Sequence, residues 1–149
     1  MRARSLVLAL LFCSAPLACK RAAPDATPDG AVRVWLEKME GASEEPRLMR
    51  DAVSLLGPEA RANLEERAAR ASRMQGRRVE AHEMLAEGRF GLRFRPKRMT
   101  SHVSGATATV DVEGSDQAAN AHVRCVREGA GWKVEPELPE LPPIVKRSE

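Results

Sequence analysis

Hydrophobic residues recur every three to four positions through the first half of this chain and every second position through its later part. The first spacing puts one apolar face on a helix and the second puts one on a strand, so the chain reads as helices followed by strands. Asp29 is placed to cap a helix carrying Val32, Trp35, Leu36 and Met39. Gly41-Ala42-Ser43 breaks it. Pro46 suits the first turn of a second helix, with Leu48, Met49, Ala52, Val53 and Leu56 on one face. Gly57-Pro58 separates this from a third helix that runs to about Gln75 and ends at Gly76. Its inner stripe is Ala60, Leu64, Ala68 and Ala71, with Met74 near the end, and Glu66 with Arg70 forms an i,i+4 ion pair on the outside.

A short helical turn is expected at Glu80–Leu85, and then the period becomes two. Phe90, Leu92 and Phe94 alternate with Arg89, Gly91, Arg93 and Arg95, which predicts a half-buried strand ended by Pro96. Met99, Ser101 and Val103 begin a second alternating run. Ala108, Val110 and Val112 follow the turn at Ser104-Gly105. Ala121, Val123 and Cys125 form a further strand, and Trp132 and Val134 the last. Connections this short favour antiparallel neighbours, because parallel strands need long crossovers. The expected class is therefore α+β, with N-terminal helices packed on a curved antiparallel sheet. The core must come mainly from Leu, Val, Met and Ala, since the chain has two Trp, three Phe and no Tyr.

Residues 1–18, MRARSLVLALLFCSAPLA, have a basic start, an apolar run and then small residues, the layout of a secretory signal peptide. Leu6–Ala18 is 13 residues long, whereas a membrane-crossing helix needs about 20. Pro16-Leu17-Ala18-Cys19 resembles a bacterial lipoprotein box, although that pattern prefers Leu where this chain has Pro16. The resemblance implies a diacylglycerol thioether on Cys19. It also implies delivery of the protein to the cell envelope, facing the periplasm. By similarity to enterobacterial sorting, Lys20 in the following position directs it to the outer rather than the inner membrane. One acyl chain holds a protein only marginally, and two or three anchor it. Residues 19–29 then read as a flexible Ala-, Pro- and Asp-rich tether, residues 30–137 as the domain, and residues 138–149 as a Pro-rich extended tail. A soluble periplasmic protein is the alternative.

Helices followed by a meander that closes on GAGWKVE, Gly129 to Glu135, resemble the cone-shaped nuclear-transport-factor-2-like fold. Many small bacterial envelope lipoproteins of unknown function look like this, and the resemblance spans residues 30–137. A cystatin-like roll has the same order of elements. Enzymes on that fold hold a general base inside the cone, which would make His102, His122 and Asp111 the residues to inspect. In the predicted register, however, all three alternate against the apolar face and point outward.

Little else in the sequence suggests catalysis. His82, His102 and His122 have no second ligand at metal-site spacing, and His82-Glu83 lacks a zinc-protease partner. There is neither a nucleophile elbow nor a phosphate-cradling Gly-rich loop, so no catalytic residue, metal or cofactor is expected. With Cys19 lipidated, Cys125 is left unpaired and reads as a small buried apolar side chain.

The formal charge of +3 on the whole chain is unevenly distributed. Residues 59–98 hold 11 cations against 6 anions, and residues 99–149 hold 5 against 8. Arg89, Arg93, Arg95, Lys97 and Arg98 are the densest cluster. They read either as a solvated face that discourages edge aggregation or as a contact for anionic lipid headgroups or an acidic envelope protein. Nucleic acid is not expected, because no aromatics are interleaved for stacking. The functional expectation is a lipid-anchored, non-catalytic binding domain. The alternative is a small cavity enzyme or ligand carrier on the same fold.

Overall fold

The computed structural model describes residues 23–42, 44–85, 92–141 and 143. A 3-10 turn, Pro24–Ala26, leads into α1 (Pro28–Gly41). Then come α2 (Arg47–Ser54), α3 (Pro58–Gln75) and a second 3-10 turn at Ala81–Met84. Four strands follow: β1 (Arg98–Ser104), β2 (Thr107–Glu113), β3 (Asn120–Glu128) and β4 (Gly131–Glu135). They form one antiparallel sheet in the order β1-β2-β3-β4. The protein is therefore α+β, with its helices preceding an open four-stranded sheet.

The helix boundaries follow from local chemistry. Thr27, in extended backbone, accepts a hydrogen bond from Gly30 N at 3.2 Å and is the cap of α1. Asp29 was the expected cap. It lies instead inside the first turn, where its carboxylate accepts from Ser101 Oγ at 3.0 Å and ties α1 to β1. α3 begins at Pro58, where a missing N–H costs nothing, and ends at Gly76, whose φ of 65° is the left-handed conformation that closes helices.

The core lies between the helices and one face of the sheet. Ala31, Val32 and Trp35 of α1 meet Leu56, Ala60 and Leu64, and the inward residues of β2–β4 close the layer: Ala108, Val110, Val112, Val123, Cys125, Trp132 and Val134. The period-two alternation arises because only this face is covered. The link between α2 and α3 runs along the β4 edge. Val134 N donates to Leu55 O at 2.9 Å, and Gly57 N donates to Val134 O at 2.8 Å. Leu138 and the tail backbone then pack back over α3, where Arg67 donates to the carbonyl of Pro139.

Three expectations need correction. Residues 92–97 form no strand. They bend at Arg93–Phe94, and the ladder begins only at Arg98. The alternation there has another cause: Leu92 and Phe94 pack one-sidedly against the core while the cations between them face solvent. Arg89, Phe90 and Gly91 lie outside the described residues. Val103 has the predicted parity but is 58% exposed, because it sits near the end of the edge strand beyond the reach of α1. Met74 is 87% exposed, one residue from the end of α3. Among the described residues no helix is long and apolar enough to cross a membrane.

Candidate binding surface

Four of the five cations singled out in the sequence, Arg93, Arg95, Lys97 and Arg98, lie beside the C-terminal half of α1. This helix presents Trp35 inward and Arg33, Leu36, Glu37, Met39 and Glu40 toward or beside the segment 92–99. Two contiguous openings of about 440 and 270 Å³ run between them. Leu36, Met39, Leu92, Phe94 and Met99, each partly buried against the core, supply the apolar floor. Arg33, Arg93, Arg95, Lys97 and Arg98 stand on the rim.

The rim charges are not equivalent. Arg98 opens β1 directly opposite Glu113, and both its Nε and Nη2 donate to Glu113 Oε2, at 3.0 and 2.6 Å. Arg95 lies 3.7 Å from Glu40, with its side chain almost fully in solvent. Among the described residues no carboxylate forms an ion pair with Arg33, Arg93 or Lys97. Among the described residues, Arg33, Arg93 and Lys97 are therefore the rim cations without an ion-pair partner, while Arg95 and Arg98 have one. Arg89 and Cys19 lie outside the described residues.

A second cluster lies on the uncovered face of the sheet. Asp111 of β2 is opposite His122 of β3, and His102 of β1 is diagonal to it. His122 Nδ1 meets Asp111 Oδ1 at 2.6 Å and His102 Nε2 meets Asp111 Oδ2 at 2.9 Å. The outward parity read from the sequence holds, and the register makes three separated residues into one His–Asp–His cluster. The hydrogen bond from His122, then that from His102, hold the Asp111 carboxyl below its ordinary range. A lowered carboxyl pKa contributes stability above the unfolded value, and that contribution is lost as pH falls through the folded value. Urea melts of the wild type and Asp111→Asn are thus expected to differ by a constant small margin near neutrality. The gap should close at acid pH, once Asp111 is protonated. A gap that persists at the acid end would disprove the assignment.

The two imidazoles bond opposite oxygens of one exposed carboxylate. Among the described residues no three His, Cys, Asp or Glu converge as a metal-binding set. Cys125 is buried beneath α1 with its Sγ 3.9 Å from the carbonyl of Pro28, and burial pushes its thiol up to about 12. A thiol so protonated is a packing group rather than a nucleophile.

Sequence reasoning named four of the rim cations, Arg93, Arg95, Lys97 and Arg98, but missed Arg33 and the floor between them. Leu36 and Met39 had been assigned to the core, and Leu92 and Phe94 to a strand. Their only distinguishing sign was the interleaving of Arg with Leu and Phe just before a proline. No protein-family model, curated protein or solved structure matches the chain.

Proposed function

We propose that this is a lipid-anchored cell-envelope protein whose α+β domain binds an anionic partner, without catalysis, through Arg93, Arg95, Lys97 and Arg98. The observation that carries the reading is an open apolar groove whose rim holds Arg33, Arg93 and Lys97 without an ion-pair partner among the described residues. The rival reading, an enzyme built around His102, His122 and Asp111, would need those side chains enclosed with a substrate. They stand on the open face of the sheet, with both imidazoles largely in solvent. We read the order of helices before an antiparallel sheet as similar to that of a cone-shaped, nuclear-transport-factor-2-like roll.

The described N-terminal end of the chain, from which the tether to Cys19 would lead, and the rim lie at opposite ends of α1. The chain enters beside the β3–β4 turn, where Asp25 approaches Gly131, whereas Glu40 and Arg95 mark the other end. The 14 residues of α1 span about 20 Å at 1.5 Å per residue. From Cys19 to Pro24 a fully extended tether reaches about 17 Å. With the entry end held at the bilayer, the rim projects away from the anchoring leaflet. This favours a partner in the periplasmic space over the headgroups of that leaflet, and an outer-membrane site facing the periplasm suits it.

Metabolic labelling with an alkynyl fatty acid tests the anchor. Label is expected on the wild type and lost in Cys19→Ser, together with membrane association. Label retained on Cys19→Ser would refute the anchor, whereas loss of label with unchanged membrane association would point to another attachment.

A further inference from the structure

We infer that the groove between α1 and residues 92–99 is a site for one acyl chain of a single-chain anionic amphiphile, a monomeric long-chain carboxylate. This rests on the proposed role of the cationic rim and names the class of molecule the rim would hold.

The floor and the rim make different demands on a ligand. Leu36, Met39, Leu92, Phe94 and Met99 form a continuous apolar strip that is only partly buried. Two of the five are methionines, whose unbranched thioether chains adapt to flexible aliphatic ligands. An acidic protein surface would satisfy the cations and leave this strip wet, and an inorganic anion would do the same. A neutral hydrocarbon would cover the strip but offer nothing to Arg33, Arg93 and Lys97, which have no ion-pair partner among the described residues. An amphiphile with an anionic head meets both demands, its chain on the strip and its head among the cations. Glu37 and Glu40 also stand on the rim, Glu40 beside Arg95; Arg93 lines the first opening and Lys97 the second, so each opening offers a cation without an ion-pair partner among the described residues.

Dimensions set the expected chain length. The groove follows α1 from Arg33 to Glu40, about 10 Å at 1.5 Å per residue, which accommodates about eight extended methylenes. The rest of a longer chain would protrude into solvent. One chain follows the strip, whereas a two-chain lipid would have to leave its second chain outside. In the proposed anchored orientation the rim projects away from the bilayer, toward monomeric amphiphile rather than packed headgroups.

The test uses the full chain carrying Cys19→Ser, so that it bears no acyl group of its own. Fluorescent cis-parinarate is displaced by straight-chain carboxylates of roughly six to sixteen carbons, all held below their micellar concentrations. Displacement is expected to tighten with each methylene up to about eight, by at most about fourfold per step for full burial, and to level off beyond. Alkyltrimethylammonium ions of equal length should bind at least about tenfold more weakly. Reversing the exposed pair, Arg93→Glu with Lys97→Glu, leaves the floor intact and should weaken the carboxylates about tenfold while tightening the ammonium series. Met39→Glu should flatten the chain-length profile. A profile that never depends on length overturns the inference, as does equal binding of both head charges or indifference to the rim reversal. Envelope components that require the rim while no carboxylate binds would leave the proposed function standing and remove this site. Carboxylate binding in a protein that never acquires label at Cys19 would do the reverse.

Discussion

Glu135→Ala is expected to lower the free energy of unfolding by about 2–3 kcal/mol, measured in urea at neutral pH. Glu135 is the one charged side chain buried among the described residues, at 5% exposure. Its Oε1 accepts from Glu59 N at 3.1 Å and its Oε2 from Ala60 N at 2.9 Å. Those amides belong to the first turn of α3, which has no side-chain cap of its own because Gly57 stands in the cap position. The carboxylate at the end of β4 therefore caps a helix whose first bonded amide, Glu59 N, lies 76 residues earlier in the chain. Charge-assisted bonds to the positive end of a helix are stronger than neutral ones, and removing the carboxylate strands two amides. Gly57 belongs to the same device, since a Cβ there would overlap the Glu135 carboxylate. Gly57→Ala alone should cost about 1–3 kcal/mol through that overlap. In the double variant the overlap disappears, so the two losses should fall short of additive. Strict additivity would mean that the two residues do not meet in solution.

Where sequence reasoning succeeded, the determinant was local. Pro58 and Gly76 punctuate α3 through their own backbone preferences, so both ends of that helix were legible. The period-two runs gave the inward face of β2 and β3 correctly because one-sided burial imposes it. Where it failed, the determinant was distant. Glu135 looked like the end of a strand, and nothing near it announces a helix terminus across the sheet. Thr27 and Asp29 are both good caps, and the choice between them was made by Ser101, which gives Asp29 another role. Leu92 and Phe94 alternate like strand residues, yet a strand needs a neighbour. Among the described residues the backbone of 92–96 has no ladder partner, so those side chains became the wall of a groove.

The His–Asp–His cluster falls between these cases. Outward parity was readable for each residue, but their meeting depends on register. With Gly105-Ala106 as the turn, Thr100 lies opposite Asp111 and His102 lands on the diagonal. The loop 114–119 then sets Asp111 opposite His122. A shift of one residue in either hairpin would have moved one partner to the other face. The cationic rim was more legible than the floor, because charge density is visible in sequence whereas a gap between a helix and a loop is not.

Trp35→Ala should cost about 3–5 kcal/mol, the largest loss expected from any single truncation in the core. Trp35 is 2% exposed at the centre of α1 and belongs to the same cluster as Leu56, Leu64 and the inward residues of β2–β4. Trp35→Phe should behave differently. The indole Nε1 is buried and finds no acceptor among the described residues. A stranded donor costs about 1–3 kcal/mol, so removing it offsets part of the volume lost with the indole, and the net change should stay within about 1.5 kcal/mol. A Phe variant as unstable as the Ala variant would show that the N–H is bonded in solution. The two variants also separate the roles of α1. The inner face of the helix is held by Trp35, and its neighbouring face carries Leu36 and Met39 of the groove. Trp35→Phe keeps the helix seated and should leave carboxylate binding near wild type. Trp35→Ala frees the helix to shift toward the vacated volume, and the groove should lose its length preference along with its wall.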